Sequence, residues 1–316
     1  MVTTYLFPGQ GAQHPGMGKD LWDRFDCVKQ LFRTASEVCG RDMEQLLFES
    51  DEAELKQTVN TQTAVTLMNA SVREVLSQLG VHSQCSAGFS VGEMSALYDA
   101  GSISFEEVMH LVQTRASLMV QNSRSYEGVS GGPGMAAVIG LTFSEVQELI
   151  NHAGIDNVFA ANHNGPRQVA ISGLTDSISA LKPFLVEGGA RRVIPLKVSG
   201  FFHTPLLAEA AEAFALELQK IHWKPFEKSC YSNATGELIP RAEDAALLCS
   251  RQITSPVRWV DIMERIRDGG ADVLMEVGPG KVLTGLWGSV SKEISCRPVG
   301  TLDQIEELAG SIMSSV

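Results

Sequence analysis

Ser86-Ala87-Gly88-Phe89-Ser90-Val91-Gly92-Glu93 reads as the end of a buried strand, a tight turn and the opening of a helix that runs on to Ala100. Its centre has G-x-S-x-G spacing (Gly88, Ser90, Gly92). That spacing carries chemistry only when a strand precedes it and a helix follows, because the glycines then permit a sharp reversal that lifts the serine hydroxyl clear of the sheet. The Val91 N–H would sit at a helix N-terminus, where free donors and the helix dipole favour a developing oxyanion. A blander reading also fits the residues. Ser90 and Glu93 form the pattern S-x-x-E, in which a serine does no more than cap the helix.

Outward from this turn, the chain alternates short apolar runs with helical periodicity. Thr4–Phe7 reads as a strand, stopped by Pro8-Gly9-Gln10-Gly11. The glycines of that turn allow the backbone to approach a ligand, and its functional reading is a second oxyanion donor, the Gln10 N–H. It is not a dinucleotide fingerprint, since the third glycine of G-x-G-x-x-G would fall at His14. Ala64–Leu79 is helical and ends at Gly80; Phe105–Gln121 is helical too. After the Ser/Gly-rich break Ser123–Gly134 the pattern changes to strand Met135–Ile139, helix Thr142–Ala153, strands Val158–Ala161 and Gln168–Ser172 joined through Asn162–Arg167, helix Asp176–Glu187 and strand Arg192–Lys197. The order βαββαβ is the ferredoxin-like arrangement. It predicts an inserted subdomain over 132–197 within a large α/β domain formed by 1–131 and 198–316. Helices at Pro205–Ile221, Ala242–Gln252 and Trp259–Asp268 and a strand at Asp272–Glu276 complete the large domain. Such alternation predicts a mostly parallel sheet covered on both faces.

Composition narrows the function classes. With 316 residues the chain is long enough for a full core, and 25 Lys plus Arg against 37 Asp plus Glu leave a formal charge of −12. A chain this acidic lacks the broad basic surface that nucleic acid requires, so no nucleic-acid partner is expected. No run of about 18 apolar residues is present, so no membrane span is expected. Met1–Gln13 has neither a basic start nor a long apolar stretch, so no signal peptide is expected there. The six cysteines show no C-x-x-C spacing, which predicts reduced thiols in a cytoplasmic protein, with no zinc site.

A serine nucleophile needs a base. Of seven histidines, His203 stands apart, because it lies in Val198-Ser199-Gly200-Phe201-Phe202-His203-Thr204-Pro205, a loop between a strand and a helix. Arg115 sits among apolar Leu111, Val112, Leu118 and Met119 on a helix. A buried arginine needs an acidic partner, either a structural one or a carboxylate carried by the substrate.

Taken together, the ordered motifs resemble the malonyl-CoA:acyl carrier protein transacylase family and the related acyltransferase domains of polyketide synthases. The likeness rests on F-P-G-Q-G-A-Q at the start, G-F-S-V-G-E at Ser90, Q-T-R at Arg115, N-H-N-G-P-R-Q-V-A-I-S-G over Asn162–Gly173, S-G-F-F-H-T-P at His203, R-Q-I-T-S-P-V-R-W over Arg251–Trp259 and E-V-G-P-G-K-V-L at Glu276–Leu283. The resemblance implies an α/β-hydrolase-like large domain with a ferredoxin-like insert. It implies Ser90 as nucleophile, His203 as its base, Gln10 and Val91 N–H groups as oxyanion hole and Arg115 as the grip on the malonyl carboxylate. Gln252 would orient His203, mainly through its backbone carbonyl, and Asn162 would lie near the substrate. It implies malonyl-CoA and acyl carrier protein as partners, no metal, no redox cofactor, and a monomer. The pathway would be fatty acid synthesis. A trans-acting acyltransferase of a polyketide synthase, or a malonyl-loading subunit of a decarboxylase, would use the same residues.

Two departures stand out. The family usually has histidine before the nucleophile, where this chain has Phe89, and the common Thr-Gln-Pro is Thr61-Gln62-Thr63. Phe202, before His203, fits malonyl-type members, in which a bulky residue leaves little room for an α-methyl branch. One rival from another class is a patatin-like hydrolase with a Ser90–Asp268 dyad, since Asp268-Gly269-Gly270 supplies a D-G-G. The plainer account of those glycines is the end of the helix Trp259–Asp268.

Overall fold

The computed structural model describes residues 2–198 and 200–313. Ser199, the first residue of the S-G-F-F-H-T-P motif, lies outside the described residues. Among the described residues the strands are Thr3–Phe7 (β1), Cys85–Gly88 (β2), Pro133–Ile139 (β3), Val158–Gly165 (β4), Gln168–Leu174 (β5), Arg192–Pro195 (β6), Ser229–Cys230 (β7), Val273–Val277 (β8) and Cys296–Val299 (β9). They form two sheets.

The first sheet has the order β7-β2-β1-β8-β9, and every pairing in it is parallel. Its central strand shows why it lies inside. Tyr5 and Phe7 join one apolar cluster and Leu6 joins another on the opposite face, the period-two alternation of a strand buried on both sides. Helices cover both faces. One cover contains Thr58–Gln78 and Phe105–Arg124, and the other contains Trp259–Asp268 and Val282–Trp287. This is the α/β architecture that the alternation in the sequence predicts.

The second sheet is antiparallel, with the order β4-β5-β3-β6. Helices Phe143–Ala153 and Thr175–Glu187 pack together on one of its faces. Thr142 opens the first of them with a capping box, its side chain accepting from the Glu145 N–H while the Glu145 carboxylate accepts from the Thr142 N–H. Along β5, Val169 and Ile171 face those helices, whereas Ala170 and Leu174 belong to the main core on the other face.

One segment differs from its sequence reading. Asn162–Arg167 was expected to be a connection, yet β4 continues through Asn162 to Gly165. Asn162 pairs with Ala170, His163 with Val169 and Gly165 with Gln168, with register shifts between them. The bulges accommodate residues that ordinarily signal a turn. The same stretch is tied to the other half of the molecule, as His163 N–H donates to Val257 O and Val257 N–H donates to Ala161 O, each at 2.9 Å. The second sheet is thereby held against the first, with a cleft between them.

Candidate active site

The cleft has a volume of about 210 Å³ and lies over the end of β2. From the parallel-sheet side it is lined by Gln10, Phe89 and Ser90; from the antiparallel sheet by Met135, Asn162, Asn164, Gln168 and Ala170. Phe202 and His203 line it as well.

The turn at Ser90 explains its glycines. A Cβ on Gly88 would stand 1.9 Å from the Gly92 carbonyl oxygen, and one on Gly92 would stand 2.2 Å from the Phe7 carbonyl oxygen. Neither approach is compatible with a side chain. Gly9 is equally crowded, its Cβ direction meeting the Phe89 carbonyl oxygen at 2.3 Å, and this brings the Pro8–Gly11 turn against the elbow. Ser90 itself has φ +52, and His203 has φ +57. Both lie in the left-handed region that non-glycine residues rarely enter, a strain that surrounding contacts must hold in place.

The helix after the elbow runs Gly92–Asp99 and has no side-chain cap. The capping-box reading of Ser90 and Glu93 is therefore incorrect. Ser90 Oγ lies instead 2.7 Å from His203 Nε2. His203 Nδ1 lies 2.9 Å from the Gln252 backbone oxygen. A carbonyl can only accept, so Nδ1 carries the proton and Nε2 presents its lone pair to the serine hydroxyl. Burial, reinforced by the nearby Arg115 charge, pushes the His203 pKa down to about 3 against its hydrogen bonding to the backbone. The imidazole is thus neutral and ready to accept a proton at ordinary pH.

Arg115 is fully buried. Its Nη1 donates to Gln62 Oε1 at 2.7 Å, and its Nη2 donates to Gln252 Oε1 at 2.8 Å and lies 3.4 Å from Ser90 Oγ. These partners are two amide oxygens and a hydroxyl; among the described residues no carboxylate pairs with it directly. Burial lowers its pKa to about 10, opposed by the charge of Glu93, so it remains a cation near neutrality.

Gln10 and Asn162 line the same cleft, and Val91 is buried beside Ser90. Among the described residues no acceptor takes the N–H of Gln10 or of Val91. Phe89, which stands where a histidine is usual, packs edge-on against Trp259 with ring centroids 5.4 Å apart and presents an apolar wall to the cleft.

Three contributors escaped the reading of the sequence. Gln62 was noted only as part of a departure and holds Arg115. Asn233 lies in the turn after β7; its Oδ1 accepts from the Ser90 N–H and its Nδ2 donates to the Gly88 oxygen, each at 2.7 Å. Glu93 is buried at the base of both. No metal-binding group of His, Cys, Asp or Glu is formed among the described residues. No described helix is long and apolar enough to cross a membrane.

Asp268 does not join this cluster. It is an exposed side chain paired with Arg267 at 2.8 Å, at the C-terminal end of its helix. The position the rival dyad assigns to it beside Ser90 Oγ is occupied by His203. Asp268→Ala is expected to leave turnover within about twofold of wild type, the range of an ordinary surface change. Steady-state assay of the purified variant checks this.

A serine hydroxyl against a neutral imidazole, with main-chain donors nearby and no acid behind the histidine, defines a site for acyl chemistry by a two-residue dyad. The family model for the acyl transferase domain matches residues 4–304, and the chain belongs to that family. It is 34% identical over 306 residues to a malonyl CoA-acyl carrier protein transacylase of Bacillus subtilis strain 168, covering 96% of this chain and 94% of that protein. An acyl carrier protein S-malonyltransferase of Vibrio cholerae superposes with a TM-score of 0.91 at 33% identity, covering 98% of this chain and all of that one. A malonyl-transacylase solved in complex with a type II polyketide-synthase acyl-carrier protein superposes with a TM-score of 0.93 at 31% identity, again over 98% of this chain and all of that one.

Proposed function

We propose that this chain transfers a malonyl group from malonyl-CoA to the phosphopantetheine thiol of an acyl carrier protein, through a malonyl-Ser90 ester, in the supply of fatty acid synthesis. The observation that carries this reading is the buried Arg115 guanidinium, 3.4 Å from Ser90 Oγ and bonded to no carboxylate among the described residues. A carboxylate-bearing acyl group completes that site, whereas a neutral acyl group leaves the cation buried and unpaired. The names of the relatives point to the same substrate, and the complex with an acyl-carrier protein supports the acceptor. In this reading residues 132–197 are a ferredoxin-like subdomain inserted into an α/β-hydrolase-like domain, and the substrate enters between them.

The steps follow from the geometry. His203 Nε2 takes the Ser90 proton as Oγ attacks the thioester carbonyl. The Gln10 and Val91 N–H groups donate to the oxyanion; loss of one such donor typically costs about 2.7–4 kcal/mol of transition-state stabilisation. Collapse breaks the C–S bond, and the CoA sulfur leaves with the proton from His203. The carrier thiol then gives its proton to His203, attacks the malonyl ester, and Ser90 recovers the proton. Phe202 lines the cleft beside His203, and its bulk disfavours an α-methyl branch; one methyl is worth only about 1–3 kcal/mol, so this selection is modest. No metal or redox group takes part in any step.

Intact-mass measurement after incubation with malonyl-CoA tests the proposal. A malonyl adduct is expected on wild type, absent in Ser90→Ala, and discharged by phosphopantetheinylated carrier protein. Release of free malonate with no persisting adduct would instead mark a hydrolase, and no modification at all would mark a binding module.

A further inference from the structure

The elbow serine is held from two sides by side-chain amides. Its N–H donates to Asn233 Oδ1 at 2.7 Å, and its carbonyl oxygen accepts from Gln252 Nε2 at 3.0 Å. Both residues rest on one atom. Glu93 Oε2 accepts from the Asn233 backbone N–H at 2.6 Å and from Gln252 Nε2 at 2.9 Å. Because Gln252 Nε2 is committed to Glu93 and to Ser90, its Oε1 must face the other way, and there it receives Arg115 Nη2. The backbone oxygen of the same Gln252 holds His203. The nucleophile, the base and the arginine therefore share a single buried anchor that touches none of the reacting atoms.

That anchor is costly. Glu93 is wholly buried, its Oε1 has no partner among the described residues, and burial lifts its pKa to about 7 against its hydrogen bonds and the Arg115 charge. A buried polar atom left unsatisfied destabilises a fold, and its presence calls for a use. We infer that Glu93 is a positioning residue for acyl transfer: through Asn233 and Gln252 it holds Ser90 in its left-handed conformation and turns the Gln252 amide oxygen toward Arg115. This inference rests on the acyl-transfer reading of the site, and it makes a demand on selectivity that a merely structural carboxylate would not make. Loss of Glu93 misplaces Ser90, which slows every acyl group, and also frees the Gln252 amide, which weakens the grip on malonyl alone.

The test compares Glu93→Ala, Glu93→Asp and Glu93→Gln on the full chain with two readouts. The first is the rate of labelling of Ser90 by a fluorophosphonate, which reports serine reactivity whatever the natural substrate. The second is the ratio of malonyl to acetyl loading from the two CoA thioesters, normalised to the fraction of folded protein. Alanine, and aspartate with its carboxylate drawn back by one methylene, are expected to slow labelling by about tenfold or more and to lower the malonyl preference about tenfold, as small misplacements do. Glutamine keeps an acceptor oxygen for both donors and is expected to restore most of each. Should the alanine variant not fold, the aspartate and glutamine variants decide. Wild-type labelling and preference in Glu93→Asp overturn the inference, as does a glutamine variant no better than aspartate. A wild-type protein that reacts with the fluorophosphonate but not with malonyl-CoA would sink the substrate reading, while the labelling series would still judge Glu93.

Discussion

Alanine at His203 is expected to slow acylation of Ser90 by about 10²–10⁴-fold, the range that loss of a positioned general base covers. Nothing else described near Ser90 Oγ can take its proton. Arg115 Nη2 is a donor, and Glu93 is bonded through its Oε2 to Asn233 and Gln252, with no bond to Ser90 Oγ among the described residues. The residual rate would come from the oxyanion donors and from substrate binding, which survive the change. Stopped-flow loading from malonyl-CoA, with folding checked by circular dichroism, measures the loss; a rate within a few-fold of wild type would remove His203 from the mechanism. The same geometry sets the pH dependence of the wild type. A histidine acts as a base when unprotonated, so its folded pKa marks an acid limb below which the rate falls. Burial and Arg115 place that pKa at about 3, so the His203 limb lies far below its ordinary position near 6.5. An inflection near neutrality would belong to Glu93, raised to about 7. An inflection near 6.5 that persists in Glu93→Gln would show that His203 is protonated there and that its environment differs from the one described.

The parts of this site that were legible from the sequence are those whose chemistry and local geometry coincide. Gly88 and Gly92 announce a tight turn because no side chain fits against the Gly92 and Phe7 carbonyls. His203 is visible because a loop residue between a strand and a helix has few structural reasons to be histidine. Arg115 is visible because it is a cation among apolar neighbours. Glu93 gave an ambiguous signal because S-x-x-E has two meanings, and only the conformation of Ser90 separates them. With φ +52, Ser90 stands in the elbow, and the helix begins at Gly92 without its side chain.

Asn233 gave no local signal at all. It follows β7, which has two residues, too few to show a period, and its partners Ser90 and Gly88 lie more than 140 positions away in the chain. β9 was missed for a related reason. Cys296-Arg297-Pro298-Val299 contains a proline, which argues against a central strand, and β9 is the outermost strand of its sheet, where proline is tolerated. Asn162–Gly165 was read as a connection because Asn, Gly and the following Pro166 favour turns; pairing to β5 and to Val257 outweighs that preference. In each case local composition was overruled by a partner distant in the sequence.

Arg115→Ala is expected to lower malonyl loading by about 10²–10⁴-fold while acetyl loading holds or rises. The magnitude follows from what is removed. Breaking a buried charge pair by deleting one partner costs about 3–5 kcal/mol, and the malonyl carboxylate would become the unpaired member. For acetyl the sign reverses. In the wild type an acetyl group leaves the guanidinium buried against two amides and a hydroxyl, with no carboxylate bonded to it among the described residues; alanine removes that charge and the mismatch with it. Lysine at this position would separate charge from shape. It keeps the cation but loses the fork that lets Nη1 and Nη2 hold Gln62 and Gln252 while facing a carboxylate, so it should retain only part of the preference. Competition between malonyl-CoA and acetyl-CoA, read as the two Ser90 adduct masses in one sample, gives the ratio directly. Equal losses for the two acyl groups would mean that Arg115 supports the fold of the site and does not choose its substrate, and the case for a carboxylate-bearing acyl group would then have to rest on the relatives alone.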